Sequence, residues 1–300
     1  MSHLPANRPI GVVFNVLGSA LFALMYAYSA LLDPLDGLQI YAWRIVLTIP
    51  CLAALLLATG KWHEVVRLAR RLRRERFFWA QRLLSSALIG VQLWLFMWAP
   101  INGYGLDVSL GYFLLPITMV AVGRIAFGER LSALQAFACA LAVLGIALQL
   151  ANTGGVSWPA LLVCLGYPAY FWLRRVTDTN NLASLLLDMA ASLPLSLVFI
   201  LQGPPVLAPE ASTSLPWLIL GLGLISASAL GFQALSARHL TMTVFGLLIY
   251  VEPVLLVVAS LLLGEAISAA QWPTYLSIWA AVIVLALEGV RSLRAQGRRR

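Results

Sequence analysis

Ten stretches of continuously apolar sequence, each near the length that crosses a lipid bilayer, restrict this chain more than any other feature. They cover residues 10–32, 38–59, 83–101, 106–127, 134–150, 158–173, 182–202, 215–235, 243–263 and 272–290. A hydrocarbon core about 30 Å thick is crossed by roughly 20 helical residues, and only the fifth and sixth runs fall clearly short of that. Spanning strands would alternate apolar and polar residues over about ten positions. These runs are unbroken and rich in Leu and Ala, so helix is the conformation that satisfies the backbone within each of them. With 61% apolar and only 11% charged residues, the chain lacks the polar coat of a soluble domain, where about 25% of residues are charged. The sequence therefore reads as an all-α polytopic membrane protein with ten transmembrane helices. The length of the first run argues for a span rather than a removable secretory signal.

A net charge of +8 would suit a nucleic-acid partner, but the placement of the positive residues points to a membrane instead. Every lysine and arginine except Arg44 falls at the termini or in alternate connections. These are Arg8, the eight from Lys61 to Arg82, Arg124 with Arg130, Arg174 with Arg175, Arg238 and the C-terminal tail. The intervening connections carry Asp33, Asp36, Asp107, Glu210 and Glu265 and no basic residue. Because positive charge accumulates on the cytoplasmic side, both termini and the 61–82 connection are expected inside a bacterial-type inner membrane. In that connection Val65, Leu68, Ala69 and Leu72 form a stripe at helical spacing opposite Arg67, Arg70, Arg71, Arg73 and Arg74. Such a helix lies on an anionic leaflet. Trp62, Trp158, Trp172, Trp217 and Trp272 stand at span ends, as interfacial belts require. Cys51, Cys139 and Cys164 lie within apolar runs and offer neither a disulfide framework nor metal spacing.

An internal repeat organises the chain. Gly128-Glu129-Arg130-Leu131-Ser132-Ala133-Leu134-Gln135 follows the fourth run, and Gly264-Glu265-Ala266-Ile267-Ser268-Ala269-Ala270-Gln271 follows the ninth. Five spans per half is an odd number, so the second half enters the membrane upside down and the halves form two inverted five-helix repeats. The division is a cytoplasmic N-terminus over 1–9, repeats over 10–150 and 151–290, and a basic cytoplasmic tail over 291–300. Upstream of each repeated turn stands a mid-helix proline, Pro116 or Pro253. Each removes a backbone hydrogen bond and is expected to free the carbonyl four residues earlier, at Tyr112 or Ile249. Paired helix breaks at matching positions are a pointer to a transport site near the membrane midplane; a simple packing kink is the alternative.

Trp98-Ala99, Gly103, Asp107 and Ser109-Leu110-Gly111-Tyr112-Phe113 leading to Pro116 together resemble the RarD branch of the EamA-type drug/metabolite transporters. Further matches are Arg44, Asp188 ahead of Pro194, and Gly246-Leu247-Leu248 with Tyr250 and Pro253. The likeness runs along essentially the whole chain. It departs from the family pattern at Ile101, Leu115 and Ile249, which replace polar residues, and at Glu252, which forms the Glu-Pro pair of the wider superfamily. The resemblance implies a secondary transporter without cofactor or metal. It also implies an exporter, with proton coupling left open, working by alternating access on a small polar metabolite: an amino acid, a derivative such as an opine-type metallophore, or an amphiphilic drug.

Charges inside the bilayer are costly and are functional candidates by default. Arg44 suits a cargo carboxylate or a structural ion pair, and Glu252 and Asp188 suit a cargo amine or a shared proton. Trp98, Tyr112 and Tyr250 are candidates for the cavity lining, with ordinary packing as the alternative. An enzyme acting on lipid or peptide is the competing class, and it finds little support. His63-Glu64 begins a zinc-protease motif that Arg67 breaks, no serine-hydrolase elbow or Walker A loop occurs, and Asp107 and Asp188 are expected near opposite faces. The partners expected are a small-molecule substrate and the bilayer, not nucleic acid; the oligomeric state is left open.

Overall fold

The computed structural model describes residues 8–29, 31–32, 34–101, 104–153, 157–203, 214–249, 251–252 and 254–255. Within 272–287 it describes 272–273, 276–277, 279–281, 283–284 and 287. These residues contain no strand, and their helices are α1 (Arg8–Ser29), α2 (Gly37–Ala58), α3 (Trp62–Arg74), α4 (Phe78–Ile101), α5 (Gly105–Phe127), α6 (Ala133–Thr153), α7 (Trp158–Val176), α8 (Leu182–Gln202), α9 (Leu215–His239) and α10 (Met242–Leu248). The stretches 37–58, 78–99, 182–202 and 215–239 are long and apolar enough to cross a membrane, and shorter apolar helical stretches lie within α1, α5 and α6.

Local chemistry sets the helix ends. Asp36 caps α2 by accepting from the Gln39 backbone N–H at 2.8 Å, while the Gln39 side chain accepts from Asp36 N at 3.0 Å. The repeated turn after α5 is a stop-and-start device of the same kind. Gly128 ends α5 at φ 62°, a left-handed conformation that costs glycine nothing. Four residues on, Ser132 accepts from Gln135 N at 3.1 Å, and the Gln135 side chain accepts from Ser132 N at 3.0 Å. This reciprocal capping box starts α6 and gives Gly128, Ser132 and Gln135 their roles in the first copy of the turn. The second copy, 264–271, lies outside the described residues.

Three expectations change. The 61–82 connection does contain the amphipathic helix α3, but α4 starts at Phe78 rather than at residue 83. Arg82 is therefore a buried helical residue, only 4% exposed, and not part of a solvated loop. The carbonyl of Ile249 is not free: it accepts from Glu252 N at 3.1 Å in a tightened turn beyond the end of α10. Arg44 is also not the only basic residue embedded in the bundle, because Arg174 is equally buried.

Packing joins helices that are far apart in sequence. α1 lies along α9 and α4 along α7, while α2 and α8 pack together at the centre; α2 also meets α9, and α8 meets α4. α5 is held by α7 and α10. Small residues permit these approaches. A side chain on Gly111 would place its Cβ 2.7 Å from the Ala160 carbonyl oxygen, so α5 and α7 touch backbone to backbone there. Ala138 and Ala142 of α6 are fully buried beside Phe113 and Ala281, as their spacing in the sequence predicts.

Candidate functional site

The α2 residues that face inward, Tyr41, Arg44, Ile45, Thr48, Leu52 and Leu56, recur at helical spacing. Arg44 thus stands on the core face of its helix and is 1% exposed. Its Nε donates to Ser226 Oγ at 2.8 Å, and Thr48 Oγ1 donates to the same oxygen at 3.0 Å. The guanidinium also lies over the Phe22 ring, 5.6 Å from its centroid. Among the described residues, its two terminal nitrogens, Nη1 and Nη2, have no hydrogen-bond partner. A buried donor left unpaired costs about 1–3 kcal/mol, and more when it carries charge.

Arg44 lines a small cavity with Glu252, Tyr112, Tyr167 and Gln233, closed by apolar neighbours that include Phe96 and Ile249. Glu252 is 4% exposed. Tyr112 arrives from α5 and Tyr167 from α7, their hydroxyls 3.2 Å apart, an approach that the bare backbone of Gly111 makes possible. The cavity measures about 10 Å³, which is room for roughly one water molecule. Arg44 and Glu252 share this space without forming an ion pair within 4.0 Å. A guanidinium with two parallel donors unoccupied matches the two oxygens of a carboxylate.

Asp188 belongs elsewhere. It is fully buried in α8 and pairs with Arg82 of α4, Nη1 to Oδ1 at 3.4 Å. Its other oxygen accepts from Ser85 at 2.8 Å and from Tyr170 at 3.4 Å. Tyr170 in turn accepts from Arg174 Nη1 at 2.5 Å, and Arg174 is spent further on the carbonyls of Thr179 and Asn181. With two arginines and two hydroxyls around it, Asp188 has its own partners and does not line the cavity of Glu252. Trp98 is not among the cavity's lining residues either. It packs in an aromatic group with Trp94, Tyr104 and Trp158, ring centroids 5.2, 5.4 and 6.0 Å away. Pro116 lies one residue beyond the lining residue Leu115, inside a helix that continues to Phe127. Tyr250 and Pro253 lie outside the described residues.

Sequence reading missed Tyr167, Gln233, Ser226, Arg82 and Arg174. Arg82 could have been found by asking what cation neutralises Asp188, since a lone buried carboxylate demands one. Nothing distinguishes Tyr167 or Gln233 from their neighbours in apolar runs.

No family model matches the chain. The chloramphenicol-sensitive protein RarD of Pseudomonas aeruginosa is 43% identical over 292 residues, covering 96% of this chain and 97% of that protein. An uncharacterized transporter of Haemophilus influenzae is 36% identical, covering 93% and 94%. A crystal structure of another protein superposes with a TM-score of 0.69 at 17% identity, covering 95% of this chain and 99% of its own, and that likeness concerns fold alone. End-to-end similarity to bacterial transporters, together with helices apolar enough to cross a membrane, shows that this chain is a multi-pass membrane transporter and belongs to the RarD-like family.

Proposed function

We propose that the chain is a secondary exporter of a small metabolite bearing both a carboxylate and an amine, with Arg44 and Glu252 as the two poles of its site. One observation carries this reading: a fully buried arginine, two of whose donors have no partner among the described residues, lines a cavity that also holds a buried carboxylate. Cargo would complete both groups, its carboxylate on Arg44 and its amine on Glu252, while Tyr112 and Tyr167 line the space between. Amino acids and amino-acid derivatives, including opine-type metallophores, have this chemistry, whereas an amphiphilic drug would have to supply the same two charges.

The cavity as it stands is too small for such a molecule, so loading requires the bundle to open. Two inverted five-helix halves provide a way to do so, and the packing supports them. Numbering the proposed spans in chain order without α3, a shift by five turns the contact of α1 with α9 into that of α7 with α4. It likewise turns α2 with α9 into α8 with α4, and leaves α2 with α8 and α5 with α10 exchanged onto themselves. The central pairs would act as the hinge, with cytoplasmic termini and a basic cytoplasmic α3 as the charge distribution requires. A proton taken and released by Glu252 would couple the cycle to the gradient.

The test is a double-mutant cycle on uptake of labelled amino-acid pools into liposomes containing the purified protein. Arg44→Met and Glu252→Gln should each reduce transport by at least tenfold, with the double variant no worse than either alone. Additive small losses with unchanged cargo preference would leave both charges as structural anchors.

A further inference from the structure

A second cavity, sharing no lining residue with the first, opens at the end of the bundle where α3 crosses the last turns of α7 and α9 and the first turn of α8. It measures about 320 Å³, within the range of small-ligand sites. Arg67, Arg71, Arg174, Arg175 and Arg238 line it with the carboxylates Glu64 and Asp178, and because Glu75 and Glu129 already pair with Arg71 and Arg175, Arg67 and Arg238 are the cations with donors to spare. We propose that this cavity binds a phosphate group, carried either by a lipid headgroup at the membrane surface or by a soluble phosphate compound.

Three of the arginines are fixed in place by the protein. Arg174 is held by Tyr170 and by the carbonyls of Thr179 and Asn181. Arg71 is held by Glu75 and the Thr177 carbonyl, and Arg175 by Glu129. They form a wall of partnered guanidinium groups, with Arg174 fully buried and the charges of Arg71 and Arg175 matched by Glu75 and Glu129. The other two retain their donors: Arg238 comes only to 4.0 Å from Glu64, and Arg67 has no ion pair among the described residues. An oxyanion with several acceptor oxygens satisfies such a pair of forks, each contact being charge-assisted.

Two further features point to a ligand rather than to a solvated charge patch. Asn180 lines the cavity, and its Oδ1 is buried without a hydrogen-bond partner among the described residues. It could accept from a hydroxyl or amine on a phosphate ester, or, with the amide turned over, donate to the phosphate itself. The N-terminus of α8 also opens here: Asn181 caps Ser184 N at 2.8 Å, and the remaining first-turn N–H groups give the helix end a partial positive charge. In α3, Trp62 and Val66 are exposed apolar residues four apart, suited to rest at headgroup level beside the cavity.

The experiment measures thermal unfolding of the purified full-length protein under two sets of conditions. One compares nanodiscs of phosphatidylcholine with nanodiscs containing increasing phosphatidylglycerol. The other adds millimolar inorganic phosphate in a zwitterionic detergent, against chloride at equal ionic strength. Ligand that binds only the folded state raises the midpoint by mass action, so a rise of several degrees is expected. The rise should disappear in Arg67→Gln/Arg238→Gln, shrink but remain in Arg67→Lys/Arg238→Lys, which keeps the charge without the forks, and persist in Arg73→Gln/Arg74→Gln, which removes as much charge from outside the cavity. A rise with phosphatidylglycerol alone assigns the phosphate to lipid, and a rise with inorganic phosphate assigns it to a soluble compound. No rise in either, or equal loss in the cavity and control variants, overturns the site.

Discussion

Arg44 and Arg82 are both helical arginines buried among apolar side chains, yet their surroundings differ. Arg82 meets a carboxylate that two hydroxyls also serve, and a second arginine closes the far side through Tyr170, so that the charge of Arg82 is answered although its Nε has no partner among the described residues. Arg44 meets one serine through one nitrogen and lines a cavity with its other two unpartnered among the described residues. Breaking a completed ion pair strands a charge, whereas removing an incomplete one relieves the fold of a burden. The two arginines therefore differ first in whether an opposite charge answers them: Asp188 pairs with Arg82, whereas Arg44 has no ion pair among the described residues.

The largest effect should come from the completed cluster. Asp188→Ala leaves Arg82 buried and unpaired, a change worth about 3–5 kcal/mol. Thermal unfolding in detergent should show a large fall, and Asp188→Leu/Arg82→Met should recover much of it because both charges go together. An Asp188→Ala protein as stable as its parent would erase the contrast with Arg44.

The opposite outcome is expected for Arg44→Met. Its stem already packs on apolar neighbours, and two unpaired donors are lost, so the melting temperature should stay level or rise even as transport fails. A fall as large as that of Asp188→Ala would make Arg44 an ordinary structural arginine.

At the small end stands the exposed pair Arg71–Glu75, 2.7 Å across. The Arg71 hydrogen bond holds the Glu75 carboxyl below its ordinary range. The sign follows from this: with the folded pKa depressed, any stabilisation is present above the unfolded value and is lost as pH falls through the folded one. Glu75→Gln should thus differ slightly from its parent at neutral pH and converge with it in acid. Solvent screening keeps the difference small, and a gap that widened in acid would contradict the assignment.

What the sequence disclosed follows the same line between satisfied and unsatisfied groups. Arg44 and Glu252 are visible because each is a lone charge in an apolar run, and α3 is visible because its stripe has helical period. Arg82 was hidden by its position: an arginine at the edge of an apolar run looks the same whether the helix ends before or after it. Arg82 and Ser85 lie about a hundred residues upstream of Asp188, and no local pattern connects them. Tyr167 and Gln233 differ from dozens of packing residues only in the company they keep. The turn after α5 was legible as a repeat, but its purpose emerges from hydrogen bonds at Ser132 and Gln135.

The contact of α1 with α9 has a consequence in time. Ser236 donates to the carbonyl of Gly11, 225 residues earlier, at 2.8 Å. Translation at about 5–20 residues per second puts roughly 10–45 seconds between the making of those two residues. Throughout that interval the first helix is in the membrane without its neighbour, and the face carrying Gly11, Asn15 and Gly18, buried in the finished bundle, is turned to lipid or to whatever shelters it. Helix α1 is thus completed only when α9, far later in the chain, has been made. A chain halted after its first half would display that bare polar and glycine-lined strip to the machinery that removes unfinished membrane proteins.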